Sequence, residues 1–190
     1  MGDLEAARES IRSGELVIYP TETAYGIAAD ALNEEAVEKV YEAKKRPKEK
    51  GLTVIVKSLS QAEEYAELSR EEKEIVEEFM PGPLTLVAEK KDPVPDVLNE
   101  KFVFRVSSSS LARSLAETPV TATSANISGE ETSYSVEDIA DELLEEADHV
   151  IDHGRLEHRK TSTIAEVKNS EIVIHRRGPV SKEDLEEVLN

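Results

Sequence analysis

Short apolar runs alternate with amphipathic stretches along this chain of 190 residues, and the alternation restricts the fold more than any other feature. Four runs have the length and composition of buried strands: residues 15–19, 52–56, 84–88 and 102–106. The last predicted strands follow closely on one another: residues 149–152, 163–167 and 172–175. Alternation with a late cluster of strands predicts one α/β domain, 1–190, built on a mixed sheet.

N-cap residues predict where the helices begin. Asn33 precedes a stretch whose apolar residues share one helical face. Further helices are predicted from serine caps, most of them with an acid three residues later: Ser60 with Glu63, Ser69 with Glu72, Ser135 with Asp138, and Ser181. The helix that begins after Ser135 is expected to reach residue 146.

Composition and missing motifs exclude several classes of protein. The chain has no Cys, which rules out disulfides, thiol nucleophiles and zinc–thiolate sites. No apolar run approaches the roughly 18 residues of a membrane span, and the acidic N-terminus is unlike a signal peptide. The HExxH, GxxxxGK[ST], GxGxxG and GxSxG patterns are absent. We therefore expect a cytoplasmic protein that uses no membrane, no protein-built metal site, no P-loop and no Rossmann turn.

A compact basic segment, residues 43–52, stands out in a chain of formal net charge −18. It contains one acid, Glu49, and five cations: Lys44, Lys45, Arg46, Lys48 and Lys50. Cations suit the C-terminal end of a helix, which accounts for Lys44 and Lys45. Pro47 is expected to end the helix, so the same argument does not account for Lys48 and Lys50. The segment therefore predicts a binding site for a phosphate or a carboxylate.

Arg105 lies within the apolar strand pattern FVFRV, where a cation is unfavourable unless it is paired. Two interpretations stay open, because Arg105 either neutralises a buried acid or binds a ligand carboxylate or phosphate. Hydroxyl and amide side chains lie beside other predicted strands, in residues 20–26, 124–129 and 161–163. Each of these groups alone is an ordinary turn residue. Together they lie at strand ends, where open α/β sheets bind their ligands.

Seven motifs follow one another in an order that is typical of a known family. They are PTETAYG at 20–26, AKKRPKEKGL at 43–52, PGPLTLV at 81–87, FRV at 104–106, TSANISG at 123–129, TST at 161–163 and RRG at 176–178. In this order they resemble the YrdC family of L-threonylcarbamoyladenylate synthases, over residues 16–180 and in the short, single-domain form. The resemblance implies a twisted, mixed sheet flanked by helices around a concave basic cleft.

The resemblance also implies a reaction. L-Threonine, bicarbonate or CO2, and ATP give threonylcarbamoyl-AMP and pyrophosphate, with ATP as a substrate that carries Mg²⁺ on its phosphates. The adenylate serves the t6A modification of tRNAs that read ANN codons. A separate threonylcarbamoyl transferase completes that modification, and weak binding of tRNA or other RNA is a further expectation.

Ten residues match functional positions of the family motifs. Two match a KxR pair that faces the ATP phosphates and the new carbamate, and are expected to be catalytic: Lys44 and Arg46. Five are expected to bind ATP: Lys50, Ser124, Asn126, Thr132 and Arg176. Three are expected to bind L-threonine: Thr23, Arg105 and Ser162.

Several positions depart from the family pattern. Lys45 stands where Gly is usual, and Gly51 stands where Pro is common. Thr161 replaces Glu, and Arg177 replaces Pro. The run RVSSSS replaces one such as RVPxHP, so the resemblance assigns no role to residues 107–110.

Two other functions stay open on the sequence. The first is a non-catalytic RNA-binding module that uses the basic cleft for phosphates. The surplus of acid and the lack of aromatic residues among the cations oppose it. The second is a carbamoyl-transfer domain of the hydrogenase-maturation type. Those proteins are much longer and contain zinc-finger regions, whereas this chain is short and has no Cys.

Overall fold

The computed structural model describes residues 2–189, in which one sheet of ten strands is flanked by seven α-helices. The helices are α1 (Gly2–Arg12), α2 (Glu34–Ala43), α3 (Leu59–Tyr65), α4 (Arg70–Phe79), α5 (Ser110–Leu115), α6 (Asp141–Glu145) and α7 (Lys182–Val188). The strands are β1 (Val17–Pro20), β2 (Tyr25–Ala28), β3 (Thr53–Val56), β4 (Ala66–Glu67), β5 (Leu84–Lys90), β6 (Phe102–Val106), β7 (Val120–Ser124), β8 (His149–Val150), β9 (Thr163–Lys168) and β10 (Glu171–Arg176). Two short 3-10 helices occupy connections: Lys48–Lys50 and Val136–Asp138.

The strands form a mixed sheet in the order β10-β9-β5-β6-β3-β7-β2-β1-β8, with β4 paired to β5. Three neighbouring pairs are parallel: β3 with β6, β5 with β9, and β1 with β8. The remaining pairs of named strands are antiparallel. The mixed sheet predicted from the clustered late strands is confirmed.

The two faces of the sheet have different environments because side chains alternate along each strand. On β6, Phe102, Phe104 and Val106 are buried in the main core, which α2, α3 and α4 cover. The opposite face carries Val103 and Arg105. Helices α1 and α5 cover only part of that second face, through a smaller apolar cluster. The part that they leave uncovered is the floor of a cleft.

Several predicted elements are confirmed. Strand β6 occupies the predicted residues, Phe102–Val106. The side chain of Asn33 accepts a hydrogen bond from the backbone N–H of Ala36, as an N-cap of α2 should. Ser69 and Glu72 form the predicted reciprocal capping box of α4, and Ser181 caps α7.

Two helix predictions are wrong. Helix α3 begins two residues earlier than the Ser60 cap predicted, because Ser58 accepts from the N–H of Gln61 while the Gln61 side chain accepts from the N–H of Lys57. The predicted helix from Ser135 to residue 146 is divided in two. The Asp138 carboxylate accepts from the N–H of Ser135 and closes a single 3-10 turn, whereas the Ser135 hydroxyl makes no hydrogen bond within the described residues. Ile139 then adopts an extended conformation that places its side chain in the core. Helix α6 begins only after that residue.

No helix within residues 2–189 is both long enough and apolar enough to cross a membrane.

Candidate active site

A cleft of about 410 Å³ lies on the uncovered face of the sheet. Its floor is formed by residues of β2, β3, β5, β6, β7 and β9, and its rim by the connections that precede β2, β3, β6 and β9 and the one that follows β7. The charged side chains among the described lining residues are all cationic: Arg46, Lys50, Arg105 and Arg176. Cations from three different parts of the chain thus converge on one cleft in a protein of net charge −18. Such a cleft attracts anions.

Eight of the ten residues singled out in the sequence line this cleft: Thr23, Arg46, Lys50, Arg105, Ser124, Thr132, Ser162 and Arg176. The other two, Lys44 and Asn126, are buried behind its wall. The arginines divide the lining into two parts. We call Arg105, Arg176 and Ser162 the sheet end of the cleft, and Arg46 with Lys50 the loop end.

Arg105 neutralises a buried acid, the first of the two interpretations that the sequence left open, and binding of a ligand anion stays a prediction. Its side chain lines the cleft, and Nη1 lies 3.1 Å from Oε1 of Glu22 in an ion pair whose side chains are 9% and 11% exposed. Burying such a pair is tolerated because each charge offsets the desolvation of the other. Glu22 is not among the residues predicted from the sequence to be functional. Arg105 could have indicated such a residue, because a cation inside an apolar strand requires an acid nearby.

Tyr19 lies beside this ion pair and also lines the cleft. Its side chain is fully buried, and its hydroxyl makes no hydrogen bond with the described part of the chain. Burial raises the pKa of Tyr19, while the charges of Arg105 and Glu22 act on it in opposite directions. An unsatisfied buried hydroxyl is unfavourable, so this group is suited to meet a polar ligand atom at the sheet end.

Arg176 is fixed to the beginning of β9. Its Nε donates to the carbonyl of Ser162 at 3.0 Å, and Nη2 contacts the Ser162 hydroxyl at the same distance. That hydroxyl also contacts Oγ1 of Thr85 at 2.8 Å. Burial, together with the charge of Arg105, lowers the pKa of Arg176. An arginine whose pKa is lowered by another arginine is in an environment that favours an anion.

Gly178 allows the turn after β10 to approach the start of β9. A Cβ atom at this position would lie 2.3 Å from the backbone nitrogen of Thr163 and 2.6 Å from the carbonyl oxygen of Thr161. Both contacts are shorter than van der Waals separation and involve backbone, which cannot rotate away. A glycine is therefore required for Arg176 to reach Ser162.

The loop end is organised by its own backbone. Arg46 donates from Nε to the carbonyl of Gly51 at 3.0 Å and from Nη2 to the carbonyl of Lys50 at 2.9 Å. Gly51 has a φ of 53°, and a Cβ there would lie 1.7 Å from Oδ1 of Asn99. Proline, which the family pattern favours at this position, cannot adopt that φ. The loop around Gly51 therefore has its own local geometry in this chain.

The remaining exposed cations of the basic segment are engaged elsewhere. Nζ of Lys45 lies 2.6 Å from a carboxylate oxygen of Glu142, and Nζ of Lys48 lies 2.6 Å from one of Glu38. Exposed ion pairs of this kind contribute little to stability. The segment therefore supplies two cations to the cleft, rather than the cluster of five that its sequence suggests.

Lys44 is the buried cation of the segment, at 1% exposure. Its Nζ donates to the carbonyl oxygens of Ser124 and Asn126, the second at 2.6 Å. Burial, and to a smaller extent the charge of Arg46, lowers the pKa of Lys44 to about 7. In this structure the ammonium group connects the end of α2 to the loop after β7. Its predicted contact with ATP phosphates stays a prediction.

Asn126 has a similar supporting position. Its Oδ1 accepts from the hydroxyl of Ser124, and its Nδ2 donates to the carbonyls of Ile127 at 2.8 Å and Glu130 at 3.0 Å. The side chain thus closes the loop on itself and leaves Ser124 on the cleft wall. In the neighbouring loop between β1 and β2, the Thr23 hydroxyl contacts Oγ1 of Thr21 at 3.1 Å.

Among residues 2–189, no group of three or more His, Asp or Glu side chains is arranged to hold a metal ion. The fold and the site define an α/β protein with a cationic cleft, suited to a ligand or ligand pair with separate anionic groups. The chain belongs to the Sua5/YciO/YrdC family, which is described as telomere recombination and which matches residues 9–178.

Related proteins agree with this assignment. A protein of Methanocaldococcus jannaschii, named putative threonylcarbamoyl-AMP synthase, is 40% identical over 182 residues, which cover 94% of this chain and 88% of that protein. A threonylcarbamoyl-AMP synthase of Pyrococcus abyssi is 36% identical over 186 residues, covering 94% of this chain but 55% of its own length. A solved structure of P. abyssi Sua5 complexed with L-threonine has a TM-score of 0.90 and 35% identity, covering 98% of this chain and 57% of that one.

Proposed function

We propose that this chain is a threonylcarbamoyl-AMP synthase that joins L-threonine, CO2 or bicarbonate, and ATP. The observation that carries the proposal is the cleft whose two ends each present cations, Arg46 and Lys50 at one end and Arg105 and Arg176 at the other. The reaction needs two anions, a triphosphate and a carbamate, to approach each other. Fixed cations offset their repulsion in a partly buried site.

The loop end suits the phosphates of ATP, and Arg105 with Ser162 at the sheet end suits the carboxylate and hydroxyl of L-threonine. Arg176, also at the sheet end, is assigned to ATP because it matches the arginine of the late turn in the family pattern. The amine of threonine attacks CO2 and loses a proton, which gives a carbamate. A carbamate oxygen then bonds to the α-phosphorus of ATP, the bond from that phosphorus to the bridging oxygen breaks, and pyrophosphate leaves. No side-chain nucleophile takes part, so the chain acts by positioning the reactants and by stabilising charge.

We assign Arg46 to the α-phosphate of ATP, where the reaction takes place. Arg46 lines the cleft, and two backbone carbonyls fix its guanidinium. Mg²⁺ carried by the ATP phosphates supplies further positive charge when bound. We assign the residual ATP contacts to Lys50, Ser124, Thr132 and Arg176, with Asn126 shaping their loop. L-Threonine is assigned to Thr23, Arg105 and Ser162.

The product is a mixed anhydride, so it requires an acceptor. We propose that a separate transferase passes the threonylcarbamoyl group to tRNA. A cytoplasmic location, weak binding of RNA and a single domain over residues 1–190 remain predictions from the sequence. The synthase is favoured over an RNA-binding module and a hydrogenase-maturation domain, because the relatives with 36% and 40% identity are named as synthases.

The test is pyrophosphate release from ATP with bicarbonate present, comparing L-threonine, L-serine and no amino acid. We expect release that depends on L-threonine, together with the mass of threonylcarbamoyl-AMP in the quenched reaction. Absence of release with every amino acid, alongside tight and salt-sensitive RNA binding, would replace the synthase by the binding module.

A further inference from the structure

The serine run at residues 107–110 has no counterpart in the family pattern, and its first member is completely buried. The hydroxyl of Ser107 donates to Oε2 of Glu22. The other oxygen of that carboxylate, Oε1, forms the ion pair with Arg105. Oε2 of Glu22 is therefore held by a hydrogen bond behind the cleft, whereas Oε1 makes no hydrogen bond within the described residues and meets Arg105 as an ion pair.

Ser107 is itself held firmly. Its Oγ accepts from the backbone N–H of Ser109 at 3.1 Å, and its carbonyl accepts from Nη1 of Arg113 in α5. These contacts fix the connection between β6 and α5 beneath the loop that carries Glu22. The carboxylate is thus oriented from a rigid part of the fold.

Arg105 and Glu22 have different positions relative to the cleft. Arg105 lines the cleft, whereas Glu22 does not belong to the lining. Within residues 2–189 the ion pair with Glu22 is the polar contact that the structure gives to the Arg105 guanidinium. A guanidinium has five N–H donors, so most of them remain for a ligand. Glu22 therefore holds the arginine from behind without competing for the cleft.

We propose that Glu22 is the positioning residue of Arg105, that Ser107 orients Glu22, and that this pair sets the affinity of the cleft for the carboxylate of its amino-acid substrate. The inference rests on the proposed function, because it assigns L-threonine to the sheet end. A planar guanidinium can bind a carboxylate through two parallel hydrogen bonds, which adds a requirement for orientation. The buried charge of Glu22 favours one position of the Arg105 guanidinium and leaves its other N–H groups for the ligand.

The experiment uses the full chain and four single variants. Glu22→Gln keeps the shape and removes the charge, and Ser107→Ala removes the hydroxyl. Ser108→Ala is the matched control at an exposed position of the same run. Ser109→Ala is the stability control, because Ser109 caps α5 through the N–H of Ala112 and loss of a cap weakens the fold without touching Glu22.

We expect Glu22→Gln to raise the KM for L-threonine by about tenfold or more and Ser107→Ala to raise it by about threefold to fivefold, since both weaken a charge-assisted contact. The KM for ATP should stay within about twofold in both, because the loop end is separate. The Ser108→Ala and Ser109→Ala chains should keep the KM values of the starting chain. In the double variant, Ser107→Ala should add nothing to Glu22→Gln, since the serine acts through the carboxylate.

Three outcomes would overturn the inference. One is an equal rise of both KM values, and another is the same rise with Ser109→Ala as with Ser107→Ala, since either indicates general loosening. The third is an unchanged KM for L-threonine in both the Glu22→Gln and the Ser107→Ala chains. If Glu22→Gln does not fold, Ser107→Ala with its two controls carries the test. A starting chain without threonine-dependent pyrophosphate release would refute the proposed function itself, which the variants alone do not test.

Discussion

The two ends of the cleft hold their arginines in different ways. At the sheet end, Arg105 and Arg176 are fixed by side chains and backbone of other elements: Glu22 from the β1–β2 loop and Ser162 from the start of β9. At the loop end, the hydrogen bonds of the Arg46 guanidinium within residues 2–189 go to carbonyls four and five residues further along the same loop. A small ligand such as an amino acid needs fixed partners, whereas a triphosphate tolerates a locally folded loop. The difference indicates which end determines specificity.

The largest effect is expected from Arg105→Met, which keeps much of the apolar stem but leaves Glu22 buried without its cation. We expect kcat/KM for L-threonine to fall by about a thousandfold and the free energy of unfolding to fall by about 3–5 kcal/mol. Urea titration and steady-state pyrophosphate release measure the two effects. Arg12→Met is the control, since Arg12 forms only exposed ion pairs. Activity within tenfold of the starting chain would show that the sheet end does not bind the carboxylate.

Arg46→Ala should separate activity from stability. We expect kcat/KM for ATP to fall by about a hundredfold, as on removal of a transition-state donor. The free energy of unfolding should change by about 1 kcal/mol or less, since local hydrogen bonds to exposed carbonyls contribute little. Lys48→Ala, which removes a neighbouring exposed cation, should leave kcat/KM unchanged. Loss of stability as large as that of Arg105→Met would abolish the contrast between the two ends.

Lys44→Met tests the buried connection between α2 and the loop after β7, through the pH dependence of stability. Because the pKa of Lys44 is lowered from 10.5 to about 7, the unfolded chain binds a proton that the folded chain has released between those values. Lys44 therefore adds to the free energy of unfolding as pH rises from about 7, by up to about 1.4 kcal/mol per pH unit, and this contribution is lost as pH falls to about 7.

The measurement is urea unfolding at about pH 7, 8 and 9, where the Lys44→Met chain should show a smaller rise than the starting chain. The variant also leaves two carbonyls without their donor, which should lower stability at every pH by about 1–3 kcal/mol. Lys45→Met, at the exposed neighbouring position, is the control. Equal pH slopes in the starting chain and the Lys44→Met chain would refute the lowered pKa.

The smallest effect is expected from Lys45→Gly. Lys45 has a φ of 49°, a left-handed conformation that is unfavourable for a residue with a Cβ. Glycine there should raise the free energy of unfolding by about 0.5–1 kcal/mol. The loss of the exposed ion pair with Glu142 reduces this gain slightly. Thermal and urea unfolding measure the gain, and kcat/KM should not change. A loss of stability would mean that the ion pair outweighs the backbone strain.

The sequence predicts most of the sheet because apolar strands are short, continuous and bounded by turn residues. It does not predict β4, which is two residues long and formed by pairing with β5. The Ser60 prediction fails because Ser58 lies two residues earlier and caps the helix instead. The long helix after Ser135 fails because burial of Ile139 in the core overrides helix propensity.

The site is predicted well where a residue type has few alternative uses, as for Arg105. For Lys44, burial can be predicted from the sequence but the hydrogen-bond partners cannot. The helical period places it on the face of Val37, Val40 and Tyr41, so its burial follows from the sequence. The carbonyls that receive its ammonium belong to a loop 80 and 82 residues further on. No local pattern identifies partners that distant, and the same holds for Glu22 and Ser107.

The long-range pairs of the sheet end also determine when the cleft can exist. Ser107 and Glu22 are 85 residues apart, Thr85 and Ser162 are 77 apart, and Arg176 closes the set from near the C-terminus. Contacts of this separation form slowly, because a long loop must close before they contribute. The bonds of Arg46 span only four and five residues, and Leu52 at the end of that loop pairs with Asn99. During synthesis the contacts around Arg46 can therefore be complete well before the pocket that we propose for the amino acid, which needs almost the whole protein.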